Sequence, residues 1–198
     1  MALKSVDTKK LVLLAILTAI VIIFQILAIL TRPLFPMFSI TLVLVPIVIG
    51  AALIGIYAGA WLGLVFGFAV LISGDAAPFM AIDAFGTVVV VLFKGMLAGF
   101  TAGGVYKMLE RFNKTVAAIC AAIICPLINS GVFIIGSYIF FLPTLTEWGA
   151  AAGYANATTF IFLFMVGLNF LVELGINLVL SPTIVRLIQY KSKVKGES

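Results

Sequence analysis

Long apolar runs separated by short polar breaks organise this chain. The runs cover about 11–31, 39–55, 57–73, 84–106, 115–142 and 158–181, and they predict six spanning helices. Each break carries turn or loop chemistry. "TRPLFP" ends the first run with Arg32, Pro33 and Pro36, and "GIYAG" makes a tight turn between the second and third. "GDAAPFMAID" follows the third, and "YKMLERFNK" separates the fourth from the fifth. "PTLTEWGAAAGYANA" begins at Pro143 and reads as a loop before the sixth run. Pro182 then precedes an amphipathic basic tail, "TIVRLIQYKSK". The first run is long enough to span and lacks a clear cleavage pattern, so it reads as a retained helix and not a signal peptide.

Composition strengthens this picture. Of 198 residues, 64% are hydrophobic and only 10% charged, too few charges to cover a soluble domain of this size. The expectation is an all-α integral membrane protein, a six-transmembrane-helix bundle over a single membrane domain, 1–198, with no appended soluble domain.

Charge placement then orients the bundle. Ten of the twelve basic residues fall at the two ends and in the break after the fourth run: Lys4, Lys9, Lys10, Lys107, Arg111, Lys114, Arg186, Lys191, Lys193 and Lys195. Basic loops stay in the cytoplasm, so both termini are expected there. Arg32, Asp75, Asp83 and Glu147 then lie in outer loops. This distribution reads as orientation and not as nucleic-acid binding.

Small residues recur every four positions, which lets helix backbones approach closely. Gly55, Gly59, Gly63 and Gly67 line the third run, and Gly95, Gly99 and Gly103 line the fourth; packing inside the bundle is the expected use of both stripes. Ala15 and Ala19 on the first helix suit either internal packing or docking to another subunit.

Candidate chemistry is sparse. The chain has no histidine, no GxxxxGK[ST] nucleotide loop and no HExxH motif, so neither ATP hydrolysis by that route nor a metal or organic cofactor is expected. Cys120 and Cys125 read as small apolar residues. Polar residues at membrane depth are costly and point to function. Lys94 lies about 15 Å into the fourth span, Asn129 roughly 20 Å into the fifth and Asn169 roughly 16 Å into the sixth. Asn169, Glu173 and Asn177 share one helix face at i, i+4 and i+8. A polar cluster on the last three spans is therefore expected. Lys94 and Glu173 suit either a structural ion pair or ligand binding. Asn129 suits ligand contact or the capping of carbonyls freed near Pro126, and Asn177 suits helix–helix hydrogen bonding. Thr87 joins the candidate set, as does Trp148, which with Tyr154 suits interface anchoring or closure over a ligand.

These segments together resemble the substrate-binding S component of energy-coupling factor (ECF) transporters. The resemblance runs through the Ala15/Ala19 pair, "VPIVIGAALIGIYAGAWLGLVFG", "FKGMLAGFTAGGVYK", "PLINSGVF" and "NFLVELGINLVLSP". It implies a vitamin-binding subunit in a prokaryotic plasma membrane, working with a transmembrane T subunit and two cytosolic ATPases. It also implies a ligand pocket on the last three helices and a T-facing surface on the first three. The segments are more similar to the pantothenate-type branch and to uncharacterised relatives than to the thiamine or biotin branches. Lys94 would meet a carboxylate, while Asn129, Asn169 and Glu173 would bond amide and hydroxyl groups. Pantothenate carries all of these; folate and riboflavin come next and would want more aromatic stacking. An ion-coupled secondary transporter or channel is the alternative, but it would favour inverted repeats, and none is visible.

Overall fold

The computed structural model describes residues 8–31 and 42–196. Arg32, Pro33, Pro36 and Lys4 lie outside the described residues, as does the start expected for the second span at 39. Among the described residues every regular element is helical. α1 (Thr8–Thr31) is followed by α2 (Leu44–Leu53), α3 (Ile56–Ile72), the single turn α4 (Ala77–Met80) and α5 (Ala84–Leu109). α6 (Lys114–Gly136) runs through a π-helical segment, Ser137–Phe141, into α7 (Leu142–Ala151). α8 (Ala157–Thr159) passes through a second π segment, Phe160–Gly167, into α9 (Leu168–Gly196).

Local chemistry sets several of these boundaries. Asp83 caps α5 by accepting from the Gly86 N–H at 2.9 Å, and Asn113 caps α6 by accepting from the N–H groups of Thr115 and Val116. Gly55 takes a positive φ of 138° between α2 and α3, a conformation that side-chain-bearing residues rarely adopt.

α5 is the central helix, packed on α3 at one side and α6 at the other, with α9 against α6. α2 is wedged among α3, α5, α6 and α9, and its Leu44, Ile47 and Val48 are fully buried. α1 lies on α2 and α3 at the edge. A second apolar cluster, around Phe141, Leu145, Phe160 and Ile161, ties α7 to the π segment before α9.

The glycine stripes account for the tightest contact. A Cβ on Gly63 would land on the carbonyl oxygen of Gly95, and a Cβ on Gly95 would land on that of Gly63. Gly59 and Gly99 face each other in the same reciprocal way, and Gly67 meets the Val91 carbonyl. The expected internal packing is thus observed for Gly59, Gly63, Gly67, Gly95 and Gly99, and Gly103 meets Ile56, whereas Gly55 has nothing within 4 Å and serves the turn.

Among the described residues four helical stretches are long and apolar enough to cross a membrane: Thr8–Leu30, Ala84–Leu109, Lys114–Ala151 and Ala157–Thr183. α2 and α3 are shorter apolar helices of 10 and 17 residues, and residues 32–41 ahead of α2 lie outside the described residues. Other expectations are corrected. The stretch after Pro143, expected as a loop, continues as α7, because proline sits in its first turn where no backbone N–H is required. Pro182 was expected to end the sixth span, yet α9 runs through it. Proline leaves the Leu178 carbonyl without its helical donor, and the Ser181 hydroxyl takes that place at 2.8 Å.

The α3–α5 contact is directly testable. Gly63→Ala inserts a methyl group against backbone that cannot yield, an overpacking cost of about 1–3 kcal/mol. Gly104→Ala, where nothing lies within 4 Å of the new methyl, is the matched control. Thermal unfolding in detergent should show a clear loss for Gly63→Ala and little change for Gly104→Ala.

Candidate functional site

Lys94 projects from the middle of α5 between α3 and α6. Its Nζ lies 5.3 Å from the ring centroid of Phe133 on α6 and 5.8 Å from that of Phe66 on α3. Both are cation–π distances. The side chain is only partly buried. Two carboxylates exert their charge on it: Glu173 from α9 and Asp75 from the turn after α3.

Asn129 sits four residues before Phe133 and so shares its face of α6. The Asn129 side chain is buried, and its Oδ1 has no hydrogen-bond partner among the described residues. No hydrogen bond joins Asn129 to a carbonyl freed by Pro126 among those residues either. On α9, Asn169 Nδ2 donates to Glu173 Oε1 at 3.2 Å, while Asn169 Oδ1 is buried and unpartnered among the described residues. Asn177 Nδ2 donates to the Glu173 carbonyl at 2.8 Å, a bond within α9 where a helix–helix bond was expected. The Asn169–Glu173–Asn177 face is therefore one hydrogen-bonded ladder, and its Glu173 side chain is buried. Unmet hydrogen-bonding capacity in a low-dielectric interior is costly, and Asn129 and Asn169 hold it one helix apart.

The remaining candidates fall differently. Thr87 is buried near the start of α5, and its hydroxyl donates to the Asp83 carbonyl at 2.7 Å. Trp148 stands on α7 instead of in a loop and packs near Phe79 of α4, ring centroids 6.3 Å apart. Phe79 also meets Phe133 edge-on at 5.5 Å and Phe141 at 5.0 Å. The ring over Lys94 thus belongs to an aromatic group that reaches up to Trp148. Ala15 and Ala19 are exposed on α1.

Sequence reasoning missed two features. Gln25 of α1 is almost wholly buried and donates to Asp75 Oδ2 at 3.4 Å, which ties the edge helix to the turn carrying one of the carboxylates near Lys94. As an uncharged polar residue inside an apolar run, it met the same depth criterion as Asn129. The rings beside Lys94, Phe66 and Phe133, and Phe79 packed on Phe133, come from three different elements and leave no local pattern to read.

A family model described as the substrate-specific component of ECF transporters matches residues 9–185, nearly the whole chain. No curated protein and no solved structure matches it significantly. The match takes in α1 through the apolar part of α9, including Lys94, Asn129, Asn169 and Glu173. The chain therefore belongs to the ECF transporter substrate-specific components, membrane subunits that bind substrate for transport and are not themselves enzymes.

Proposed function

We propose that this chain captures a small anionic vitamin from outside the cell and presents it for ATP-driven uptake by a T subunit and two ATPases. The observation that carries the substrate class is Lys94, held between Phe66 and Phe133 in the interior of the bundle. A lysine within an apolar span is costly and defaults to a functional reading, here as the partner of a ligand carboxylate. Asn129 and Asn169 supply neutral acceptors, and Asn169 with Glu173 supplies the means to orient hydroxyl and amide groups. Pantothenate, with one carboxylate, two hydroxyls and one amide, is the favoured ligand. The group of Phe79, Phe133, Phe141 and Trp148 favours a second reading, a ring-bearing anion such as folate, or riboflavin among uncharged rings.

The proposed topology for such capture has six crossings with both basic ends in the cytoplasm. Support comes from the even pairing of basic ends and from the wedged position of α2, which lets a short helix lie inside the bundle.

The T-facing surface is proposed on α1. Ala15, Ala19, Ile22 and Ile26 lie on one face at i, i+4, i+7 and i+11, and all four are exposed. The strip runs on into an apolar groove of about 360 Å³ between α1 and α3, lined by Ile22, Ile26, Phe68 and Ile72 among others.

Two experiments test this reading. If Lys94 meets a ligand carboxylate, Lys94→Met should weaken binding by about 1.5–3 kcal/mol, roughly ten- to a hundredfold, with folding retained. Asn129→Ala and Asn169→Ala should weaken it less. Titration calorimetry with pantothenate and with any copurifying molecule provides the measurement; normal affinity in Lys94→Met would make Lys94 structural. For the surface, Ala15→Trp and Ala19→Trp should leave ligand binding intact and abolish copurification with the T subunit and ATPases. A complex that assembles normally would place the contact elsewhere.

A further inference from the structure

A recess lies at the basic end of the bundle, away from Lys94. It is a cavity of about 340 Å³ between the start of α6 and the far half of α9, lined by Thr115, Ile119, Ser181, Pro182, Val185 and Arg186. From this cavity we infer a binding site for the phosphate of an anionic phospholipid, with Arg186 as its cation.

Its depth comes first. The apolar run of α9 gives way to the basic tail at Arg186, and α6 begins at Lys114 after the basic break. The cavity spans both changes from apolar to basic chain, the pattern of a hydrocarbon–headgroup boundary. Its lining is graded to match. Ile119, Pro182 and Val185 form an apolar side suited to the first carbons of an acyl chain, and Thr115 and Arg186 add a hydroxyl and a guanidinium.

Availability is the second point. Arg186 is exposed and makes no ion pair among the described residues, whereas Ser181 is already committed to the Leu178 carbonyl. The first amides of α6 are committed too, to the Asn113 side chain. The anion-binding capacity of the recess therefore rests on Arg186 and the Thr115 hydroxyl and not on the helix terminus. A guanidinium takes a phosphate by two parallel hydrogen bonds, which distinguishes it from a merely basic surface. Lys107, Arg111 and Lys114 raise the local positive potential and draw anionic lipid to this end.

The full chain in detergent, examined by native mass spectrometry with added dioleoylphosphatidylglycerol, tests the site. One lipid should be retained per chain. Arg186→Gln should lower retention about tenfold, the effect of losing one charge-assisted pair. Lys107→Gln removes the same charge outside the cavity and should change it by less than about twofold. Thr115→Val should give a smaller loss than Arg186→Gln. Dioleoylglycerol, which lacks the phosphate, should not be retained. Equal losses in Arg186→Gln and Lys107→Gln would overturn the site in favour of a diffuse basic surface. Normal retention in Arg186→Gln, or retention of dioleoylglycerol, would overturn it outright. Glycerol 3-phosphate bound as tightly as the lipid would overturn the lipid assignment in favour of a soluble phosphate.

Discussion

The reciprocal glycine contact between α3 and α5 is the constraint on which the rest of this structure depends. Lipid gives helices no hydrophobic reason to associate, so close van der Waals packing must hold them together. Gly59 and Gly63 of α3 meet Gly99 and Gly95 of α5 with no room for a methyl group at any of the four positions. That contact also fixes the rotation of α5. Lys94 is the neighbour of Gly95, so once Gly95 faces α3, Lys94 must point about 100° away, toward the seam with α6. There it finds Phe66 on one side and Phe133 on the other. A packing device thereby determines where Lys94 points.

The polar residues of α6 and α9 then follow an economy that lipid enforces. A buried amide or carboxyl away from water needs partners. The ladder Asn169–Glu173–Asn177 satisfies part of this need inside a single helix, which leaves α9 able to present Glu173 and Asn169 without help from a neighbour. Asn129 Oδ1 and Asn169 Oδ1 keep acceptor capacity that nothing among the described residues uses. The two π segments lie next to this region, one after Phe133 on the α6 side and one just before Asn169. π turns recur at functional sites because the wider turn re-aims side chains, and Phe141 in the first of them is aimed at Phe79.

Much of this was legible in the sequence, for identifiable reasons. Helix packing by small residues follows a four-residue period, so the facing stripes at Gly59–Gly67 and Gly95–Gly103 could be read directly. A lysine or asparagine within an apolar run is conspicuous, so Lys94, Asn129, Asn169 and Glu173 stood out by depth alone. What escaped depends on backbone detail or on distant partners. Pro143 and Pro182 look like helix ends, but one falls in a first turn and the other is rescued by the Ser181 hydroxyl at Leu178. Nothing in the run from Ser137 to Phe141, or from Phe160 to Gly167, marks a switch from α to π. The aromatic group around Phe79 assembles from α4, α6 and α7, and only the folded chain brings it together.

The central claim is that Lys94 makes this bundle a receptor for a carboxylate. Identifying the small molecule that stays with the chain through purification from its native host, by mass spectrometry after denaturation, tests it most directly. The account predicts one carboxylate-bearing water-soluble molecule per chain. A neutral or cationic molecule held at the same stoichiometry would contradict it.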